Sequence, residues 1–138
     1  MESMANPGQS LSILLVEDEE ASLALLANIL GKKYSGIALY TANNGRKGLE
    51  IFNDHMINIV ITDINMPEIS GLQMAQKIRT LKQESKFIFI TGNTGRLSRH
   101  DSIAEDFEIE HYLTKPIDFK LLFAAIEQCV GEISTADR

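Results

Sequence analysis

Apolar residues along this chain fall into short unbroken runs, and between the runs they recur at intervals of three and four. Ile13-Leu14-Leu15-Val16 is a run closed by Glu17-Asp18. A run with no polar alternation offers neither face to water, so it predicts a strand buried on both sides. Leu23, Leu26, Ala27 and Leu30 then share one helical face, and Gly31 follows as a stop signal. Residues 37–42 predict a second strand, Asn43-Asn44-Gly45 a turn, and Leu49 with Phe52 a short second helix. Residues 57–63, centred on Ile59-Val60-Ile61, predict a third strand ending at Asp63, and a loop with Asn65, Pro67 and Gly71 follows it. Leu72, Ala75, Ile78 and Leu81 return to helical spacing, and Phe87 to Ile90 form a fourth strand that stops at Thr91-Gly92. In the polar stretch 93–106, Leu97, Ile103 and Ala104 anchor a fourth helix. Residues 109–113 predict the fifth strand, broken by Lys115-Pro116. Asp118 suits the N-cap of a last helix whose apolar face is Leu122, Ala125, Ile126, Cys129 and Val130.

Five strands alternating strictly with five helices predict an α/β fold, a parallel sheet wound on both faces by right-handed crossovers. At 138 residues, with 44% apolar and 23% charged positions, the chain has the composition of one globular domain. The expected layout is a flexible tail over 1–10, the domain over 11–133, and a tail or linker start over 134–138. Acids outnumber bases 19 to 13, which argues against direct nucleic-acid binding. The single cysteine, Cys129, excludes an intrachain disulfide and a Cys-rich zinc site, and it reads as a small core hydrophobe. His55, His100 and His111 share no metal-ligand spacing and read as surface residues. No apolar run approaches the ~20 residues of a membrane span. The first ten residues lack a signal-peptide core, so a cytoplasmic location without membrane association is expected.

In a doubly wound sheet, ligands bind beyond the carboxyl ends of the strands. Those ends carry Glu17-Asp18, Asp63, Thr91 and Lys115-Pro116, while the second strand ends in the undistinctive Thr41-Ala42. Three carboxylates, a hydroxyl and an ammonium thus converge on one edge. Clustered carboxylates suit a hard divalent cation such as Mg²⁺, completed by water and phosphate oxygens. Phosphoryl transfer needs an in-line nucleophile and groups that neutralise charge on the equatorial oxygens, and a carboxylate can be that nucleophile.

The segments LLVEDE at 14–19, DINMPEISG at 63–71, FITG at 89–92 and YLTKP at 112–116 stand in order at those strand ends. Over residues 12–133 the chain resembles the receiver domain of two-component response regulators, and is similar to the chemotaxis regulator among them. The resemblance implies a flavodoxin-like sheet of order 2-1-3-4-5. It also implies that Asp63 is the phosphoacceptor, fed by a phosphohistidine of a sensor histidine kinase or a phosphotransfer protein. Mg²⁺ (or Mn²⁺) is then held by Glu17, Asp18, Asp63 and the backbone carbonyl of Asn65. Lys115 pairs with Asp63 and then with a phosphoryl oxygen, Thr91 is the switch hydroxyl, Tyr112 is the aromatic that turns inward with it, and Lys115-Pro116 is cis. On this reading the domain is a signalling switch of a phosphorelay rather than a metabolic enzyme, catalysing only its own phosphorylation and dephosphorylation. Its output domain or downstream partner lies outside the chain, which works alone or belongs to a larger regulator or hybrid histidine kinase; a homodimer is a further possible partnership. Two departures from the family stand out: the approach FEIEHYLTKP before the last strand, and a last helix without the arginines and interleaved acids that pair many DNA-binding regulators. A phosphorylation-independent pseudo-receiver is the alternative, although no acidic or lysine position is missing. A haloacid-dehalogenase-like phosphatase needs an Asp two places after its nucleophile, where Asn65 stands.

Overall fold

The computed structural model describes residues 11–81, 84–92 and 110–136, with the backbone alone for 134–136. Its elements are β1 (Ser12–Val16), α1 (Glu20–Lys33), β2 (Ala38–Ala42), α2 (Gly45–Asp54), β3 (Ile59–Asp63), α3 (Gly71–Leu81), β4 (Lys86–Thr91), β5 (Tyr112–Thr114) and α4 (Phe119–Ala136). All strand pairings are parallel, in the order β2-β1-β3-β4-β5. This is the expected doubly wound, flavodoxin-like sheet. The helix expected within 93–106 and the tail over 1–10 lie outside the described residues.

Alternate side chains of the central strands feed two separate apolar layers, as the two-residue strand period requires. Leu14, Val16, Val60, Phe87 and Phe89 face Phe52 of α2 and Leu72, Ala75 and Ile78 of α3. Ile13, Leu15, Ile59, Ile61, Ile88 and Ile90 face Leu26 and Leu30 of α1 and Leu122, Ile126 and Cys129 of α4. β1 and β3 are buried throughout, which is why they read as unbroken apolar runs. β5 is an edge strand with only Leu113 turned partly inward, so a short apolar run was a poor guide to its bounds.

Local chemistry sets the helix starts. The Asn44 side chain accepts from Lys47 N at 2.8 Å, so the expected turn residue is the N-cap of α2. Ser70 and Gln73 cap α3 reciprocally: Ser70 N donates to Gln73 Oε1 at 2.9 Å and Gln73 N to Ser70 Oγ at 3.1 Å. Asp118 Oδ1 accepts from Lys120 N at 2.9 Å, the expected cap of α4.

Two readings, of Gly31 and of His111, need correction. Gly31 does not stop α1, which continues to Lys33 because a glycine there still satisfies the helical ladder; Tyr34 N closes it on Leu30 O at 2.9 Å. α4 itself extends to Ala136. His111 is not a surface residue: its side chain is 9% exposed, tucked against Glu132.

Gly71 is a position no side chain can share. A Cβ there would stand 2.2 Å from the Asp63 carbonyl oxygen, while Gly71 N donates to Ile64 O at 2.8 Å and folds the loop back onto β3. Glu68, inside that loop, takes a left-handed backbone with φ of 71°. Gly71→Ala is therefore expected to lower stability by about 1–3 kcal/mol through overpacking. Gly31→Ala, where nothing lies within 4 Å, is expected to raise it by about 0.5–1 kcal/mol. Urea unfolding midpoints of the two variants check both signs.

Candidate functional site

Because the strands are parallel, the carboxyl ends of β1, β3, β4 and β5 lie at one edge of the sheet. Glu17 directly follows β1, and its amide extends the ladder by donating to Ala42 O at 3.1 Å. Asp63 is the last residue of β3, and Ile64 N continues that ladder to Ile90 O at 2.9 Å. Thr91 ends β4, and its carbonyl accepts from Lys115 N at 2.9 Å. That bond holds the backbone of Lys115 just past β5, where the Lys115-Pro116 peptide is cis. Gly92 leaves room beside the lysine stem: a Cβ there would lie 3.6 Å from Lys115 Cδ.

These backbones bring four of the expected residues together. Lys115 Nζ donates to Asp63 Oδ2 at 2.8 Å and stands 3.4 Å from Glu17 Oε1. Glu17, Asp18 and Asp63 each offer a carboxylate oxygen, all within 4.8 Å of one another. Glu17 is 2% exposed and Asp63 5%, whereas Asp18 faces water. Thr91, 1% exposed, ends the strand between β3 and β5. Tyr112 is not brought in: it sits at the start of β5, opposite Phe89, and is 52% exposed.

Backbone amides orient the carboxylates. Asn65 N donates to Asp63 Oδ1 at 3.1 Å, and Glu19 N donates to Glu17 Oε2 at 3.0 Å. These donors escaped the sequence reading, because every residue type but proline carries the same N–H and only the turn geometry aims it. Glu17 Oε1 is buried with no hydrogen-bond partner in protein geometry; the ammonium beside it acts as a counter-charge. Burial pushes the Glu17 carboxyl above its ordinary 4.5, and the Asp63 charge adds to this against the opposing Glu19 amide and Lys115. Burial disfavours the Lys115 charge, but the Asp63 hydrogen bond and the charges of Asp63 and Glu17 outweigh it and raise the lysine pKa.

Formally, three carboxylates and one ammonium leave two negative charges, and one buried oxygen among them has the ammonium nearby but no hydrogen bond. A hard divalent cation fits that donor set, since it takes oxygen ligands and keeps water on its open side, here the side of Asp18. Among the described residues, no helix is long and apolar enough to cross a membrane.

The model of the response regulator receiver domain matches residues 13–127. The transcriptional regulatory protein RprY of Bacteroides fragilis is 32% identical over 132 residues, which is 94% of this chain and 53% of that protein. The sensor histidine kinase RcsC of Salmonella typhimurium is 30% identical over 118 residues, covering 86% of this chain and 12% of the kinase. A crystal structure of a response regulator receiver domain protein from Clostridium thermocellum superposes with a TM-score of 0.80 at 28% identity, covering 91% of this chain and 98% of that one. This chain spans 34% and 27% of two further curated relatives, so it matches one part of longer regulators and kinases.

The raised pKa of Glu17 has a definite pH signature. Without metal, the stability it contributes is full below pH 4.5, where the carboxyl is protonated folded or unfolded, and is lost as pH rises through the folded value. Glu17→Gln removes that loss. In chelator-treated buffer the variant is expected to unfold at higher urea than the parent near neutral pH, with the difference closing below pH 4.5. Urea titrations across pH measure it.

Proposed function

Because the chain belongs to the response regulator receiver domain family, we propose that it is a phosphorelay switch whose Asp63 takes a phosphoryl group from a phosphohistidine. The observation that carries this reading is the Asp63 carboxylate at the end of β3, held at 2.8 Å by the Lys115 ammonium with two more carboxylates beside it. An Asp63 oxygen attacks phosphorus as the P–N bond to the donor imidazole breaks, and the electron pair leaves with the imidazole. The Asn65 amide and Lys115 hold the nucleophile in one orientation, so little reorganisation precedes attack. Lys115 then moves its hydrogen bond from Asp63 Oδ2 to a phosphoryl oxygen and neutralises part of the incoming charge. Glu17, Asp18, Asp63 and the Asn65 carbonyl would hold Mg²⁺ (or Mn²⁺), which supplies charge neutralisation at the phosphoryl oxygens when bound.

Thr91 is the hydroxyl that reads the new anion. It is buried at the end of β4, next to the Lys115 backbone, so its movement toward the phosphoryl group displaces the chain that follows. Tyr112, half exposed on the neighbouring strand, is the ring that follows it inward. Residues 11–133 form the receiver unit. A sensor histidine kinase or phosphotransfer protein is the donor, and an output domain or separate partner reads the state. Chemistry is confined to the domain's own aspartyl phosphate, at a cytoplasmic address. The phosphorylation-independent alternative is disfavoured because the acids, the lysine and the hydroxyl are all in place.

Incubation with acetyl phosphate and Mg²⁺ is expected to add one phosphoryl mass to the intact protein and none to Asp63→Asn. An equal gain in that variant, or none in the parent, overturns the assignment. Asp18→Asn is expected to weaken Mg²⁺ binding by on the order of tenfold or more, since it removes one of three charged ligands. Unchanged affinity by calorimetry would move the cation elsewhere.

A further inference from the structure

At the opposite end of the sheet from the carboxylate cluster, His111, Cys129 and Glu132 bring a ring nitrogen, a sulfur and a carboxylate oxygen within 4.8 Å of one another. We propose that this triad is a second metal site, selective for a thiophilic divalent transition metal of the zinc class. Cys129 and Glu132 are three residues apart on α4, and that spacing puts both on one helix face. His111 precedes β5, and its carbonyl accepts from Phe89 N at 3.0 Å, so the imidazole is carried by backbone already fixed to the sheet. His111 Nε2 and Glu132 Oε1 are 3.4 Å apart, long for a direct hydrogen bond. Two ligands on one tetrahedral ion, with bonds of ~2.0–2.3 Å, stand roughly 3.3–3.6 Å apart. The His111–Glu132 pair is thus at ligand spacing before any ion arrives, with the Cys129 sulfur within 4.8 Å of both.

Access and selectivity follow from burial. Cys129 is 0% exposed, while the Glu132 side chain is 34% exposed and leaves an opening for the ion and for water as the fourth ligand. Burial, with the Glu132 charge, pushes the Cys129 thiol up to about 12, so the incoming cation displaces its proton to solvent as the metal–sulfur bond forms. Mg²⁺ gains little from sulfur, whereas zinc-class ions gain a strong bond. One cation already attends the triad: Lys86 Nζ lies 3.4 Å from Glu132 Oε1 and 3.9 Å from Glu110 Oε1. Lys86 therefore competes with a metal for Glu132, and Glu110 gives it an alternative partner when the metal binds.

Co²⁺ is the probe, titrated into the whole chain with Mg²⁺ in excess to occupy the carboxylate cluster. Cys129 is the only cysteine, so a thiolate-to-cobalt charge-transfer band reports this site alone. One equivalent per chain is expected to develop the band, and Zn²⁺ to abolish it. His111→Gln and Glu132→Gln are expected to weaken cobalt binding by on the order of tenfold or more. Lys86→Gln is expected to tighten it roughly fivefold by removing the competing charge, an effect a purely structural lysine would not produce. Cys129→Ser loses the band; because that residue is buried, the partly exposed variants decide the case if it fails to fold. Absence of the band, saturation at one ion per two chains, or affinity unchanged in both His111→Gln and Glu132→Gln overturns the proposal.

Discussion

Two carboxylates, Glu17 and Asp63, are almost wholly removed from water, and one ammonium stands between them. A buried carboxylate without compensation is costly enough to neutralise itself by taking up a proton. Lys115 meets part of that cost, with a hydrogen bond to Asp63 at 2.8 Å and a looser approach to Glu17 at 3.4 Å, and burial still leaves the Glu17 carboxyl raised. Everything around the cluster serves this compensation. The Asn65 and Glu19 amides each satisfy one further oxygen, and the Thr91 carbonyl holds the lysine backbone in place. The cluster is left short of positive charge, and that shortage suits a hard divalent cation.

The central strands and the polar residues that end them were legible in sequence because burial leaves an unambiguous record. Runs such as Ile13 to Val16 and Ile59 to Ile61 have no polar interruption, and each ends abruptly in a charged or hydroxylated residue. Less legible were features that depend on what a segment packs against. Gly31 looked like a stop, yet nothing in the sequence tells a helix-interior glycine from a terminal one. His111 looked like a surface residue because its burial comes from α4, more than fifteen positions later in the chain. The meeting of His111 with Cys129 and Glu132 was invisible for the same reason: two of the three share a helical spacing, and the third is supplied by the fold.

The loop after β3 shows how tightly the backbone around Asp63 is drawn. Gly71 starts α3 directly against the Asp63 carbonyl, and the reciprocal Ser70–Gln73 cap fixes the helix start at that point. The chain therefore leaves Asp63, reverses through Glu68 and returns within eight residues. Asp63 on such a short tether has little freedom to wander: the loop fixes its main chain, and the Asn65 amide and Lys115 orient its side chain.

β5 has a further consequence for how this chain coexists with its own copies. Among the described residues it has a neighbour on one side only, so it offers a free row of backbone donors and acceptors. Such an edge is a template on which another strand can add and begin aggregation. Here the row is three residues long, Tyr112 to Thr114, and Pro116 soon after it has no N–H to donate. A foreign strand would find too few bonds to hold. The shortness of β5 thus protects the sheet from open-ended growth at the edge that carries Lys115.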